Sequence, residues 1–302
     1  MSELLSICIP TYNREKYLKR ALESICAVID TLDVKVYVQD NASDDGTEHM
    51  IEQYITDKII YGRNKVNVGG VKNINLLFNK AEGEYVFFLT DDDYLLPGGL
   101  DRLVNFIKEY FPDFVSSDLI TYLEKSHQVY LYTAMDRTGI VSDVNDVAEV
   151  FMRSHILTRC CFKKSALSNW RVDMREKNVF PHMVALMDLI IRGKKIAYIA
   201  EPIALHTWEN ETYWEIDFGK KKKTSADDLA TECAVDECNI IFAAKKLLNT
   251  QIYDAICEKM ALAGVMDIDE VPLYLKGRIK KIIRKDKLKQ VIRDVGKKIL
   301  LK

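Results

Sequence analysis

The chain has 302 residues, of which 48% are hydrophobic and 29% charged, an ordinary globular composition with enough length to bury a sizeable core. Its 13 Gly and 6 Pro exclude a collagenous or low-complexity chain, and no apolar run approaches the roughly 18–20 residues that span a bilayer. The net charge of −2 conceals a split: residues 276–302 hold 12 Lys/Arg and 2 Asp/Glu, which leaves 31 basic and 43 acidic groups in the remainder.

Strand-like and helix-like stretches alternate through the first hundred residues. The apolar run 4–10 ends at Pro10, and 17–29 has helical spacing. Residues 34–40 read as a β-branched strand, and 43–55 as a helix opened by Ser43. A short strand at 58–62 precedes a helix over 71–83 closed by Gly83, and 84–90 is a strand. This alternation predicts an α/β fold with a mainly parallel twisted sheet and helices on both faces. Ligands then gather at the carboxyl ends of the strands, where the chain carries PTYNR (10–14), DNASDD (40–45) and TDDDY (90–94). Beyond residue 110, residues 114–141 predict two or three strands, 195–200 another, and 225–264 has helical spacing after the basic run 220–223. The seven Cys are odd in number and form no C-x-x-C pair, as expected of reduced thiols in a cytoplasmic protein. The N-terminus has neither a basic start nor a cleavage site, so no signal peptide is expected.

Asp91, Asp92 and Asp93 repel one another unless a cation or hydrogen-bond donors compensate, and an oxygen-rich site suits Mg²⁺ or Mn²⁺. A solvated acidic turn is the plain alternative. Asp40 could accept from a nucleobase N–H, or Ser43 could simply cap the next helix, and both can hold together. No G-x-G-x-x-G, P-loop, G-x-S-x-G or H-E-x-x-H occurs, which removes the fingerprints of dehydrogenases, NTPases, α/β-hydrolases and zincins.

ICIPTYNREKYLKRALESI, VYVQDNASDDGT, NVGGVKNINLLFNKAEGEYVFFLTDDDYLLPGGL and RGKKIAYIAEPIALH together resemble family 2 glycosyltransferases of the GT-A fold, over roughly residues 4–210. The resemblance implies transfer of a sugar from a nucleotide diphosphate donor to an acceptor hydroxyl, with inversion and a divalent metal. It implies that Pro10, Thr11 and Tyr12 line the nucleotide pocket, with Arg14 near the phosphates. Asn67 and Gly69 form the N-x-G motif of the donor site. Asp40 would accept from the base N3–H, which favours a UDP- or dTDP-sugar over a CDP-sugar. The family's usual first Asp falls on Thr90, so the metal ligand falls on Asp92, with Asp91 near the ribose and Asp93 beside the metal or facing the acceptor. Ile74 stands where the family often has Arg before Asn75, and Lys72 would restore the charge. Counting back from Gly193, the family's carboxylate base falls on Pro181-His182. The resemblance therefore makes His182 the base, with Glu176 and Asp173 as substitutes, although a His filling the start of a helix is an equal alternative. His206 would ligate the metal or contact the pyrophosphate, or be structural; Trp208 would stack on an acceptor sugar or sit in the core.

Residues 276–302 place Ile279, Ile282, Ile283, Val291, Ile292, Val295, Ile299 and Leu300 at helical spacing among Lys and Arg. A basic amphipathic helix reads as an anchor on an anionic membrane surface, and the acidic body argues against nucleic acid. The expected layout is a catalytic domain over 1–215, with a nucleotide half (about 1–100) and an acceptor half (about 101–215), then a helical region over 216–302. The expected enzyme glycosylates a glycan or lipid-linked acceptor in surface polysaccharide assembly, in the cytoplasm at the inner face of the membrane; its oligomeric state is open. The rivals are a sugar-1-phosphate nucleotidyltransferase, which wants a Gly-rich basic N-terminal loop that PTYNR is not, and a non-catalytic membrane scaffold.

Overall fold

A computed structural model describes residues 3–168, 175, 177–208, 226–263, 265–267, 269–276, 279–281 and 283. Its first half follows the expected alternation: β1 (Leu5–Thr11), α1 (Glu15–Cys26), β2 (Val34–Asp40), α2 (Thr47–Ile51), β3 (Ile59–Arg63), α3 (Gly70–Lys80), β4 (Tyr85–Phe88), β5 (Tyr94–Leu95) and α4 (Gly99–Tyr110). There follow β6 (Phe114–Leu123), β7 (Gln128–Tyr132), β8 (Gly139–Val141), α5 (Val144–Arg153), β9 (Cys161–Lys163), α6 (Pro181–Ile191), β10 (Ile196–Trp208), α7 (Ala226–Ala244) and α8 (Thr250–Ala263).

One sheet runs β3-β2-β1-β4-β9-β6-β10-β5, with β7 paired to β6 and β8 to β10. The strands β1 to β4 are mutually parallel, as their near-continuous apolar runs require. The second half is mixed, because β9 enters antiparallel between β4 and β6. Successive residues face opposite layers. Leu5, Ile7 and Ile9 of β1 pack with α1, α2 and α4 on one face, and Val86 and Phe88 of β4 with α3, α5 and α6 on the other.

Two local readings change. The helix α3 ends at Lys80, and Ala81 turns extended, so Gly83 is not its cap. Gly83 is needed because a Cβ there would stand 2.7 Å from the Ser6 backbone nitrogen; its own N–H donates to Ser6 Oγ at 2.9 Å. The region 43–55 yields only the short α2 and a 3₁₀ turn, Glu52–Tyr54.

The long strand β10 positions the site. It runs parallel to β6, shifts register around Pro202, and then pairs Leu205 with Tyr94 of β5. Gly99 packs so close that a Cβ would meet the Ile203 carbonyl oxygen at 2.2 Å, so glycine is required for α4 to sit under this strand. Helices α7 and α8 close on the apolar cluster of α5 and α6 through Ile240, Ile256 and Met260. Lys259 Nζ donates to Glu149 Oε2 at 2.6 Å. Ile279 is fully buried in this cluster and Ile283 packs on it. Those two members of the expected lipid-facing stripe therefore face the protein instead. The rest of the stripe, the basic run 220–223 and the expected boundary near 215 lie outside the described residues.

Candidate functional site

The TDDDY loop leaves the end of β4, between β1 and β9, and reaches across to β10 through Asp93. Asp93 is fully buried, and both of its oxygens are in use. Thr207 N donates to Oδ1 at 2.8 Å, Thr90 Oγ1 donates to Oδ2 at 2.6 Å, and His206 Nδ1 lies 3.1 Å from each. Thr158 extends the chain, accepting from Thr90 N at 2.9 Å while its own hydroxyl lies 2.8 Å from Thr90 Oγ1. Of the two expectations for Asp93, facing the acceptor is corrected, because it clamps β10 to the acidic loop and has no exposed surface; supporting a neighbouring ligand fits its bond to His206. The Thr90 that replaces the family's first Asp serves the same clamp.

Because Asp93 accepts, His206 Nδ1 carries a proton and Nε2 is the atom left for a ligand. This is the carboxylate–histidine pairing that orients metal-binding imidazoles. Burial alone would lower the His206 pKa, but the Asp93 charge and hydrogen bond, with Asp92 nearby, raise it overall. Asp92 is half-buried, and its backbone carbonyl accepts from Arg20 Nη2 (3.0 Å) and Thr207 Oγ1 (2.8 Å). Among the described residues no three His, Cys, Asp or Glu side chains gather as a complete metal cage. One carboxylate and one imidazole fit an ion that takes its remaining ligands from a diphosphate and water.

Beside them, Asp91 is buried with Oδ2 unpartnered, and Arg14 is 3% exposed with none of its three guanidinium nitrogens hydrogen-bonded. Burial and the Asp92 charge raise the Asp91 pKa, and the Arg14 charge opposes them. Arg14 lies over Tyr17, 5.1 Å from the ring centroid. Thr11 is buried with its hydroxyl beside Asp91, which it helps to keep ionised, while Pro10 and Tyr12 are half-buried. Buried donors left unmet cost about 1–3 kcal/mol each, more when charged, so this concentration marks a place built for an anion.

The neighbouring loops are latched together. Asn13, at φ 54°, donates from its backbone to Ser43 Oγ at 2.8 Å and exchanges side-chain bonds with Asp44. Asp40 pairs with Thr11 on one side and Arg63 on the other. Its Oδ1 accepts from Ser43 N (2.9 Å) and Oγ (2.6 Å), and its Oδ2 from Tyr61 (2.7 Å) and Arg63 Nε (3.2 Å). Asp40 thus organises the turn, and the expectation that Ser43 caps the next helix is corrected: α2 starts at Thr47 behind Gly46 with no side-chain cap, and the Ser43 hydroxyl is spent on Asp40 instead. Reading a base would need Arg63, whose side chain is 33% exposed, to release Oδ2.

Asn67 and Gly69 stand at the start of α3. Asn67 Oδ1 accepts from Gly69 N and from Asn41 Nδ2, both at 2.8 Å, and Gly69 takes φ +86°. Asn41, Asn64, Asn73 and Gln39 continue this amide network behind it. Sequence reading missed Tyr61, Arg63, Asn64, Asn73 and Thr207; asparagines look like turn formers, and only the folded register shows them facing one another. Lys72, expected to restore the charge missing at Ile74, is exposed, and Asn75 donates to the Arg175 carbonyl at 3.0 Å.

His182 is 6% exposed at the start of α6. Its Nε2 lies 2.9 Å from the Ser154 carbonyl and 3.2 Å from that of His155, so Nε2 carries the proton, while Nδ1 is buried without a partner. Burial pushes its pKa down to about 4. A base so weak and so enclosed is not suited to take an acceptor proton, and the helix-filling alternative is the one observed. Glu176 and Asp173 lie outside the described residues. Stability should respond to His182 in acid. As pH falls from the ordinary 6.5 towards 4, the unfolded chain binds a proton that the folded ring refuses. About 1.4 kcal/mol is then lost per pH unit, whereas above 6.5 this contribution is complete. Thermal unfolding of His182→Gln should show a flatter acid limb than the native protein; parallel limbs would contradict the assignment.

The model for the family described as glycosyl transferase family 2 matches residues 6–168. The chain is 28% identical over 250 residues to the abequosyltransferase RfbV of Salmonella typhimurium, covering 75% of this chain and 73% of that protein. It is 31% identical over 172 residues to the GalNAc(5)-diNAcBac-PP-undecaprenol beta-1,3-glucosyltransferase of Campylobacter jejuni, covering 55% and 54%. Among solved structures, Staphylococcus aureus TarS 1-349 in complex with UDP-GlcNAc aligns with a TM-score of 0.61 at 17% identity over 94% of this chain and 88% of that one. The mannosyltransferase PcManGT from Pyrobaculum calidifontis, in complex with GDP-Man and Mn²⁺, aligns at 0.57 and 14% identity over 88% and 71%. At those identities the structures speak for the GT-A fold alone. The family match spans more than half of the sequence and covers β1, β2, β4 and the acidic loop in their expected order, and the chain belongs to glycosyl transferase family 2 and is a glycosyltransferase.

Proposed function

We propose that this glycosyltransferase moves a sugar, with inversion, from a UDP- or dTDP-sugar to a hydroxyl of a glycan or lipid-linked acceptor, assisted by Mn²⁺ or Mg²⁺. The observation that carries this reading is the buried Arg14 guanidinium, without a hydrogen bond, beside Asp91 in the acidic loop that also carries Asp92 to His206. Arg14 would hold the diphosphate. Asp91 would accept from the ribose, the amide network would fix the start of α3 beside it, and Asp92 and His206 would hold the metal. A bound divalent ion would act as Lewis acid on the leaving diphosphate. Asp93 keeps His206 in the tautomer with Nε2 available, and Thr207 and Thr90 keep Asp93 in place. The acceptor hydroxyl would attack from the side opposite the diphosphate, its proton passing to Glu176.

Support for the uridine donor comes from the TarS complexes with UDP and UDP-GlcNAc, and for the metal from the Mn²⁺ complex of PcManGT. Support for a lipid-linked acceptor comes from the undecaprenol in the name of the Campylobacter relative. The basic residues of 284–302 would bring the enzyme to an anionic membrane surface in surface polysaccharide assembly. No helix among the described residues is long and apolar enough to cross a membrane. Thermal-shift measurements with UDP-, dTDP- and GDP-sugars test the proposal. A ligand at a hundred times its Kd adds about 2.7 kcal/mol, a shift of several degrees, and should do so only for uridine or thymidine donors with Mn²⁺ or Mg²⁺. An equal shift with GDP-sugars, or one insensitive to EDTA, would contradict it.

A further inference from the structure

We propose that Trp208 and Tyr130 form a platform on which the sugar rings of a neutral glycan acceptor stack, leading away from His206 across β10, β6 and β7. The inference rests on the glycosyl-transfer reading of the His206 site and adds its acceptor side. The register places it. His206 of β10 pairs with Thr121 of β6, and Thr121 pairs with Tyr130 of β7, so the three side chains project from one face in one row. In the next row on that face, Trp208 pairs with Leu123 and Leu123 with Gln128. The His206 and Trp208 rings are 5.8 Å apart between centroids.

Both aromatics are open to solvent, Trp208 by 46% and Tyr130 by 50%, although each sits in regular sheet. Both are also held in place. The Trp208 ring leans on the His206 ring while its backbone carbonyl accepts from Glu124 N at 2.9 Å, and the Tyr130 hydroxyl donates to Gln128 Oε1. Strands lie about 4.8 Å apart, so the row from His206 to Tyr130 spans about 10 Å, the reach of a disaccharide. The C–H groups on one face of a pyranose ring carry partial positive charge and suit the negative face of an aromatic ring, and rigid aromatics bind at small entropic cost. Apart from His206 the two rows hold no ionisable charge: Thr121, Leu123, Gln128, Tyr130 and Trp208 are neutral. That composition favours a neutral glycan over an anionic lipid surface, which would call for Lys and Arg.

The experiment is saturation-transfer NMR with lactose, maltose and N,N′-diacetylchitobiose on the full chain with UDP and Mn²⁺. It is run on the native protein and on Trp208→Ala, Tyr130→Ala and Trp208→Phe, alongside calorimetric titration of each with UDP and Mn²⁺. At least one disaccharide should bind the native protein. Its affinity should fall about tenfold or more in each alanine variant, remain within about threefold in Trp208→Phe, and leave UDP affinity unchanged. The proposal is overturned if no disaccharide binds, if the alanine variants bind sugar like the native protein, or if they lose phosphatidylglycerol-vesicle binding and not sugar binding, which would make this a membrane-contact face. Failure of the donor reading looks different: UDP would then not bind the native protein while the aromatic-dependent sugar signal persisted.

Discussion

Replacing Asp92 by alanine is expected to slow donor turnover at least about a hundredfold, roughly 3 kcal/mol of transition-state stabilisation, while the protein stays folded. Much of the loop is held through atoms that the substitution keeps: Arg20 and Thr207 bond the Asp92 carbonyl oxygen, and Asp93 forms the buried clamp. Asp93→Ala should behave differently. It would strip Thr207 N, Thr90 Oγ1 and His206 of their acceptor and lower the unfolding temperature as well as the rate. Turnover of a UDP-sugar with Mn²⁺, measured beside thermal unfolding, separates the two. An Asp92→Ala enzyme with native rate, or full native activity in EDTA, would remove the metal from the account.

The second large effect is expected at Glu176. Glu176→Gln should lower kcat by about 10²–10⁴ and leave UDP affinity nearly unchanged, because the lost proton transfer acts in the transition state. His182→Gln should stay within a few-fold of the native kcat. The ring is already tied by Nε2 to the Ser154 and His155 carbonyl oxygens and titrates near 4, so it contributes packing and not proton transfer. If His182→Gln abolishes turnover and Glu176→Gln does not, the imidazole is reached through Nδ1 after all.

What could be read from the sequence was local or periodic. A buried strand ending in TDDDY before Pro97 and the alternation behind β1 to β4 lie within a short window, where propensity and patterning act. What could not be read depends on distance along the chain. Asp93 differs from Asp92 only because Thr207, 114 residues later, arrives on β10 to bind it. Asp40 is saturated because β3 brings Tyr61 and Arg63 beside it. Position counting made His182 the base, whereas the apolar run behind it offered the start of a helix; the burial that decides between them comes from α5 and the turn after it. Ile279 carries the same ambiguity: an amphipathic stripe says that one face is apolar, not whether lipid or the core of α5 and α8 covers it.

The central claim is that Arg14 and the acidic loop bind a nucleotide diphosphate, and calorimetric titration of UDP and of uridine into native protein and Arg14→Met, with Mn²⁺, tests it most directly. A charged hydrogen bond to phosphate is worth about 1.5–3 kcal/mol, so Arg14→Met should bind UDP about ten- to a hundredfold more weakly, and uridine as the native protein does. Equal UDP affinity in the two proteins, or native protein that binds uridine as tightly as UDP, would contradict the account.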